Sequence, residues 1–309
     1  MSTTTATERV AAPAAETASS RILRGLNRLP IHIALGLIAL VWLLPTVGLL
    51  VTSFRPRTEI QSSGWWTTFG SLQLTLENYQ QVLNAQGMGQ AFINSLIIAV
   101  PSTLLPLLVC SLAAYAFSWL RFPFRDTIFL IIIALMMVPV QVAFLPVLQL
   151  FKTLSDGVSS VTGQPFVITQ GYAGIWLAHT AFALPFGIFL LRNFFITLPK
   201  DLIEAARIDG SSTFGVFRTI VIPLSVPAIA AYGIFQFLWV WNDLLMALIF
   251  VGKNSNYPMT IQVTTLLGTY GTEWHLLAAS AFILMVVPLA VFFSLQRYFV
   301  QGLLAGSVK

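Results

Sequence analysis

Six apolar stretches set the pattern of the chain: residues 31–53, 91–119, 127–151, 172–195, 219–251 and 276–299. Each is long enough for a helix to cross the hydrocarbon of a bilayer, which takes about 20 apolar residues. The pattern therefore predicts an all-α membrane protein with six transmembrane helices. Polar segments join them. One of these, residues 199–220, predicts two short helices that meet at a tight bend. Pro199 suits a first helical position, where the N–H is dispensable, and Asp201 and Glu204 put negative charge near the positive end of the helix dipole. Lys200 and Glu204 lie on one face and can pair. Gly210 can adopt the left-handed conformation that stops a helix, and Ser211, Ser212 and Thr213 offer caps for the next. That next helix runs through Phe217 and Ile220 to Pro223 and Pro227, where missing N–H groups predict a kink at the start of the fifth stretch. By periodicity alone, this segment is either a plain connection or a docking element.

Composition supports the membrane reading. Hydrophobic residues make up 57% and charged residues 9% of the chain, against about 25% charged in soluble domains. The formal charge of +5 is no nucleic-acid footprint, because the basic residues are not gathered on one stripe. They sort by topology instead. Lys and Arg at 9, 21, 24, 28, 121, 125, 192, 200, 207, 218, 297 and 309 fall on one side; Arg55, Arg57, Lys152 and Lys253 fall on the other. The positive-inside rule puts both termini and Glu204 in the cytoplasm. Residues 1–20 read as a disordered cytoplasmic tail, 21–90 as the first span with an outer segment, 91–300 as the membrane core, and 301–309 as a cytoplasmic C-terminal tail. Arg21, Arg24 and Arg28 precede the first span as in a signal peptide. The span is too long for a cleaved one and lacks a small-residue cleavage site, so it is expected to stay. The single cysteine, Cys110, lies in an apolar run and is expected to fill core space.

Polar residues inside apolar stretches are the remaining candidates. Asn94 lies in the second and Gln141 in the third, beside Pro139 and near Pro146, which leave carbonyls without helical donors. Both amides are either interhelical hydrogen-bond links, worth roughly 0.6 kcal/mol each, or contacts on a translocation path. His179 reads as a satisfied structural residue. In the fifth stretch, Gln236, Trp239 and Asp243 recur at i, i+3 and i+7 and so share a helical face, with Asn242 beside them. Asp243 is the only acid deep in a stretch, and an intramembrane carboxylate is a functional candidate by default; structural pairing and path lining both remain open. Outside the stretches, Trp65 and Trp66 suit a membrane interface or a soluble partner. Residues 155–170 read as a polar outer loop without periodicity, and 253–275 as the last outer loop.

Catalytic machinery is missing from the sequence. There is no GxxxxGK[ST] run, no metal-ligand spacing and no nucleophile elbow, so the chain is not expected to be an enzyme.

The run Glu204-Ala205-Ala206, Asp209-Gly210, Phe217, Ile220, Pro223-Leu224 and Pro227 resembles the EAA loop of bacterial ABC importer permeases. Leu76, Asn78 and Tyr79, the Phe92-Asn94-Ser95 opening of the second span, and Trp241-Asn242-Asp243 resemble the carbohydrate branch of that family, and the C-terminal phrase from Gln296 resembles the second permease of maltose-type systems. The resemblance implies the type I importer permease fold and a heterodimer with a second permease. It also implies two separate ATPase subunits holding ATP and Mg, and an extracytoplasmic sugar-binding protein. It makes the Glu204 loop a coupling helix that docks in a cleft of the ATPase, with the glutamate pairing to a basic residue there. It makes the last outer loop, with Tyr270 and Trp274, a contact for the binding protein. A weaker likeness at 266–271 and the C-terminus points to an α-glucoside or trehalose subgroup. In the maltose system the sugar contacts lie mostly on the sister chain. Because the spans lack mid-membrane Lys or Arg, a small neutral sugar fits better than an anion. The alternatives are a glycerol-phosphate importer, a proton-driven carrier working through Asp243 without an ATPase, and a membrane scaffold.

Overall fold

The structure, a computed structural model, describes residues 18–70, 73–84, 86–169, 171–252, 254–269 and 273–305. Regular structure among them is entirely helical. The chain divides into two compact units, residues 1–51 and 52–309. The first contains most of helix α1 (Ala18–Phe54). Residues 18–20 of the expected disordered tail belong to that helix, and 1–17 lie outside the described residues.

In the second unit, the outer segment forms α2 (Arg57–Ser62), a 3-10 turn (Trp65–Phe69) and α3 (Glu77–Asn84). Asn78 explains why this segment folds back. Its buried amide donates to the carbonyls of Ser53 and Arg55, both at 2.9 Å, and satisfies acceptors that the end of a helix leaves open. Tyr79 adds a 2.8 Å hydroxyl contact to Ser53.

Four helical segments are long and apolar enough to cross a membrane: Leu29–Phe54, Met88–Trp119 (α4, Met88–Ala99, with α5, Pro101–Trp119), Tyr172–Phe195 (α8) and Trp274–Gln296 within the last helix. Two further candidate crossings are bent pairs. Helices α6 (Arg125–Leu135) and α7 (Val140–Thr162) meet at 108°, where the turn tightens before Pro139. The segment Thr213–Leu224 meets α12 (Val226–Trp241) at 76° around Ser225, between Pro223 and Pro227. The prolines remove donors there and the chain turns. Between α10 (Thr213–Val216) and the three-residue α11 (Ile222–Leu224) runs a π-turn, Phe217–Val221.

Three expectations are corrected. Residues 155–170 are not simply a loop, because α7 continues to Thr162 and stops at Gly163 with φ +68°. The hydroxyls of Ser155, Ser159 and Thr162 bond back to carbonyls one turn earlier, so polar residues are accommodated in the helix. Ser155 and Ser159 also accept from the N–H groups of Ile168 and Phe166, which folds the following chain onto α7. The fifth stretch is likewise not one helix. It breaks at Asn242–Leu244 before the short α13 (Leu245–Phe250), so Asp243 leaves the helical face of Gln236 and Trp239.

The last outer region is also more ordered than a loop. Helix α14 (Met259–Thr269) buries Met259, Ile261 and Leu266, and α15 (Trp274–Ala305) follows. Residues 301–305 continue α15, and 306–309 lie outside the described residues.

Two apolar clusters hold the second unit. One gathers Ile175, Trp241, Phe250 and Met259. The other gathers Cys110, Leu191, Phe195, Val216, Phe217 and Tyr232, and it carries the Glu204 segment. Gly187 of α8 makes the second cluster possible: a Cβ there would lie 2.4 Å from the Tyr232 ring and 2.6 Å from Cys110 Sγ.

Candidate functional site

The Glu204 segment folds as α9 (Lys200–Ile208), with Pro199 at the capping position one residue earlier than the sequence suggested. Lys200 Nζ and Glu204 Oε1 pair at 3.1 Å on the exposed face, a contact worth a few tenths of a kcal/mol. At its end, Asp209 N donates to Ala205 O, Gly210 N to Arg207 O and Ser211 N to Ala206 O. Gly210 takes φ +83°, which only a residue without Cβ adopts cheaply. Ser212 Oγ then caps α10 by accepting from Gly215 N at 3.0 Å, typically worth about 1 kcal/mol.

One face of this element is anchored and the other is presented. Ile203 is buried at 1% exposure and Phe217 is buried, Ala206 is half-buried, and Arg207 donates to Trp119 O at 3.1 Å. The hydroxyl of Tyr115 donates to Thr213 O at 2.9 Å. Outward stand Glu204, Ala205, Asp209 and Gly210, flanked by Leu202, Ile208 and Phe214, with Ile208 85% exposed. Farther along the chain, Pro223 is exposed at the bend. A carboxylate amid small and apolar exposed residues on a firmly seated base is suited to receiving another protein.

Of the predicted translocation residues, the structure brings two together. Gln236 and Trp239 line one cavity of about 560 Å3, with Phe182, Phe186, Phe235 and His179 also on its walls. Gln236 is 5% exposed and its amide donates to Ser102 O at 3.2 Å, linking α12 to α5. Trp239 is half open, with its ring 6.0 Å from that of Phe235. Asn242 is exposed and donates to Leu238 O, one turn back. Gln141 is exposed in the first turn of α7 and is not on the cavity wall. Asn94 is engaged on every side: it accepts from Gln90 and Tyr172 and donates to Ser255 O and Tyr257 O. This buried amide fastens the chain before α14 to α4 and α8.

Asp243 accepts from Ala247 N at 3.1 Å in the first turn of α13, and its Oδ2 lies 3.9 Å from His179 Nε2. His179 is 2% exposed and its Nε2 has no hydrogen-bond partner among the described residues, so the expectation of a satisfied structural histidine is corrected. The pair shares a void of about 10 Å3 with Ser95. The signal for this residue was present in the sequence: a histidine and a carboxylate, each alone in its apolar stretch, are complementary.

Trp274 opens α15 and is exposed, beside a buried Glu273 held by Arg57 and by His275 at 3.3 Å. Tyr270 lies outside the described residues. No group of His, Cys, Asp and Glu among the described residues has the geometry of a metal site.

Residues 107–304 match the family described as "Binding-protein-dependent transport system inner membrane component". The chain is 50% identical to the osmoprotective compounds uptake permease protein GgtD of Synechocystis sp., over 92% of this chain and 93% of that one. It is 37% identical to the alpha-glucoside transport system permease protein AglG of Rhizobium meliloti, over 90% and 96%. It is 30% identical to the melibiose/raffinose/stachyose import permease protein MelC of Bacillus subtilis, over 96% and 99%. A chain of a bacterial ABC transporter involved in the import of alginate superposes with a TM-score of 0.70, covering 93% of this chain and 100% of that one at 19% identity, a likeness of fold. With the family matched over most of its length, the chain belongs to the inner-membrane components of binding-protein-dependent transport systems, as a permease subunit that is not itself an ATPase.

Proposed function

We propose that the chain is the translocation subunit of an ATP-driven importer of neutral, hydroxyl-rich solutes of the α-glucoside class. It works with a sister permease, two ATPase subunits that hold ATP and Mg, and an extracytoplasmic binding protein, with both of its own termini in the cytoplasm of a bacterial cell. The observation that carries this reading is the two-faced Glu204 element, seated by Ile203, Phe217 and the Tyr115–Thr213 bond while Glu204, Leu202, Ile208 and Phe214 face outward.

Closure of the ATPases pushes α9. The push passes to α5 through Thr213 and Trp119, and to α12 through the π-turn and the bend at Ser225. Such bent, locally re-bonded segments move without losing a whole ladder of hydrogen bonds. ATP and loaded binding protein each favour a different permease arrangement, which makes their linkage a coupling free energy. The solute class rests on the functions that AglG and MelC are named for and on the absence of Lys and Arg from the described residues of the cavity wall. That absence argues against a glycerol phosphate, which calls for a counter-charge. GgtD adds osmoprotective solutes as a class to test.

The test is uptake by the complete complex reconstituted in vesicles, with loaded binding protein outside and ATP inside. Accumulation of a neutral α-glucoside that requires ATP and binding protein is expected. Transport by this chain alone, driven by a proton gradient, would overturn the reading.

A further inference from the structure

The resemblance to maltose-type systems puts the sugar contacts mostly on the sister permease. The cavity between the α6–α7 bend, α8 and α12 argues for a share on this chain. Its volume of about 560 Å3 lies within the range of small-molecule sites, roughly 300–1,000 Å3. Its wall is aromatic, with Phe182, Phe186, Phe235 and Trp239, and the Phe235 and Trp239 rings are both partly open.

Two polar side chains, each more than nine-tenths buried, interrupt this apolar surface. Gln236 uses its amide nitrogen on Ser102 O, and its carbonyl oxygen takes no hydrogen bond among the described residues. His179 forms the boundary between this cavity and the small void with Asp243 and Ser95, and its Nε2, 3.9 Å from Asp243 Oδ2, has no hydrogen-bond partner among the described residues. A ligand hydroxyl can donate to the Gln236 oxygen, a hydrogen bond typically worth about 0.5–1.5 kcal/mol. A site with open aromatic faces, a buried neutral amide and no Lys or Arg among its described lining residues does not suit an ion. Nor does it suit an acyl chain, which would leave the amide unpaired. It does suit a ring that is apolar on its C–H face and hydroxylated at its edge.

The geometry points to a solute subsite on this chain: a neutral, hydroxylated ring stacks on Trp239 and Phe235 while the Gln236 carboxamide hydrogen-bonds its hydroxyls and His179 closes the end nearest Asp243. This inference rests on the importer reading above and adds which chain, and which residues, hold the solute.

The test uses a reporter on the wall that takes no part in binding. Ala143, a half-buried lining residue, is changed to Cys in the assembled complex, and alkylation by N-ethylmaleimide is timed with loaded binding protein and a non-hydrolysable ATP analogue. Maltose, trehalose and sucrose serve as probes, and uptake of each by the wild-type complex is measured in parallel. Buried Cys110 gives the background, read in the parent complex. A probe that is taken up is expected to slow alkylation of Ala143→Cys several-fold, and adding Gln236→Leu or Trp239→Ala is expected to abolish that protection. If a transported probe leaves alkylation unchanged, the subsite is refuted while the importer reading stands. If lipid or detergent protects regardless of sugar, the cavity holds acyl chains and the subsite is refuted. If no probe is taken up, the α-glucoside reading falls first and the subsite falls with it.

Discussion

The hydroxyl of Tyr115 donates to the carbonyl oxygen of Thr213 at 2.9 Å, joining the end of the second crossing to the first residue of the helix after Gly210. The Tyr115 ring also lies 5.1 Å from that of Phe217. Together with the Arg207 bond to Trp119 O, these contacts tie the Glu204 segment to α5 by two hydrogen bonds and one aromatic contact. Tyr115→Phe keeps the ring and removes a bond worth about 1 kcal/mol. The expected result is less solute moved per ATP hydrolysed by an intact complex, measured as uptake and ATPase activity in the same vesicles. An unchanged ratio counts against this link.

Two isoleucines on α9 separate anchoring from docking. Ile203 is 1% exposed and Ile208 is 85% exposed. Ile203→Ala should cost about 2–5 kcal/mol of packing and speed hydrogen exchange across residues 200–208. Ile208→Ala should leave that exchange as it is but release the ATPase subunits more readily on affinity purification. Equal effects of the two changes would mean that α9 has no outward role.

Gly210 is required for its backbone rather than for space. Its φ is +83°, and no heavy atom lies within 4 Å of the point a methyl group would occupy. Gly210→Ala should therefore loosen the α9–α10 bend by about 1 kcal/mol or more, and Gly210→Asn by less, because Asn tolerates the left-handed region. Limited proteolysis around residues 208–213 measures the order.

Gly187 is the opposite case. A methyl group would meet the Tyr232 ring at 2.4 Å, and overpacking costs about 1–3 kcal/mol. Gly187→Ala should lower the Tm of the purified complex, whereas Ala181→Gly on the same helix, at the cavity wall, should not lower it through packing.

The crossings and the Glu204 segment were legible because their signals are local. Runs of apolar residues, a charge pair on one face, and Gly and Pro at turns all act within a few residues. What was not legible depended on distant partners. Serines and threonines in 155–162 read as loop until their hydroxyls are seen bonding to carbonyls one turn back. Asp243 read as a buried acid on a helix face, whereas it accepts from the first turn of α13, a task for which Asp is favoured at helix starts. Asn94 left two readings open, and only the chain near Ser255 and Tyr257 supplies its acceptors. His179 looked ordinary in isolation, because both the nearby carboxylate and the cavity come from other helices.

The most direct measurement is ATPase stimulation of the purified complex by loaded binding protein when Glu204 is changed to Arg. The side chain is exposed and its pair with Lys200 of its own helix is worth only about 0.2–0.5 kcal/mol, so reversing its charge leaves the fold largely intact. The expected result is normal membrane insertion with stimulation strongly reduced. Stimulation equal to that of the wild type would contradict the coupling role assigned to this segment.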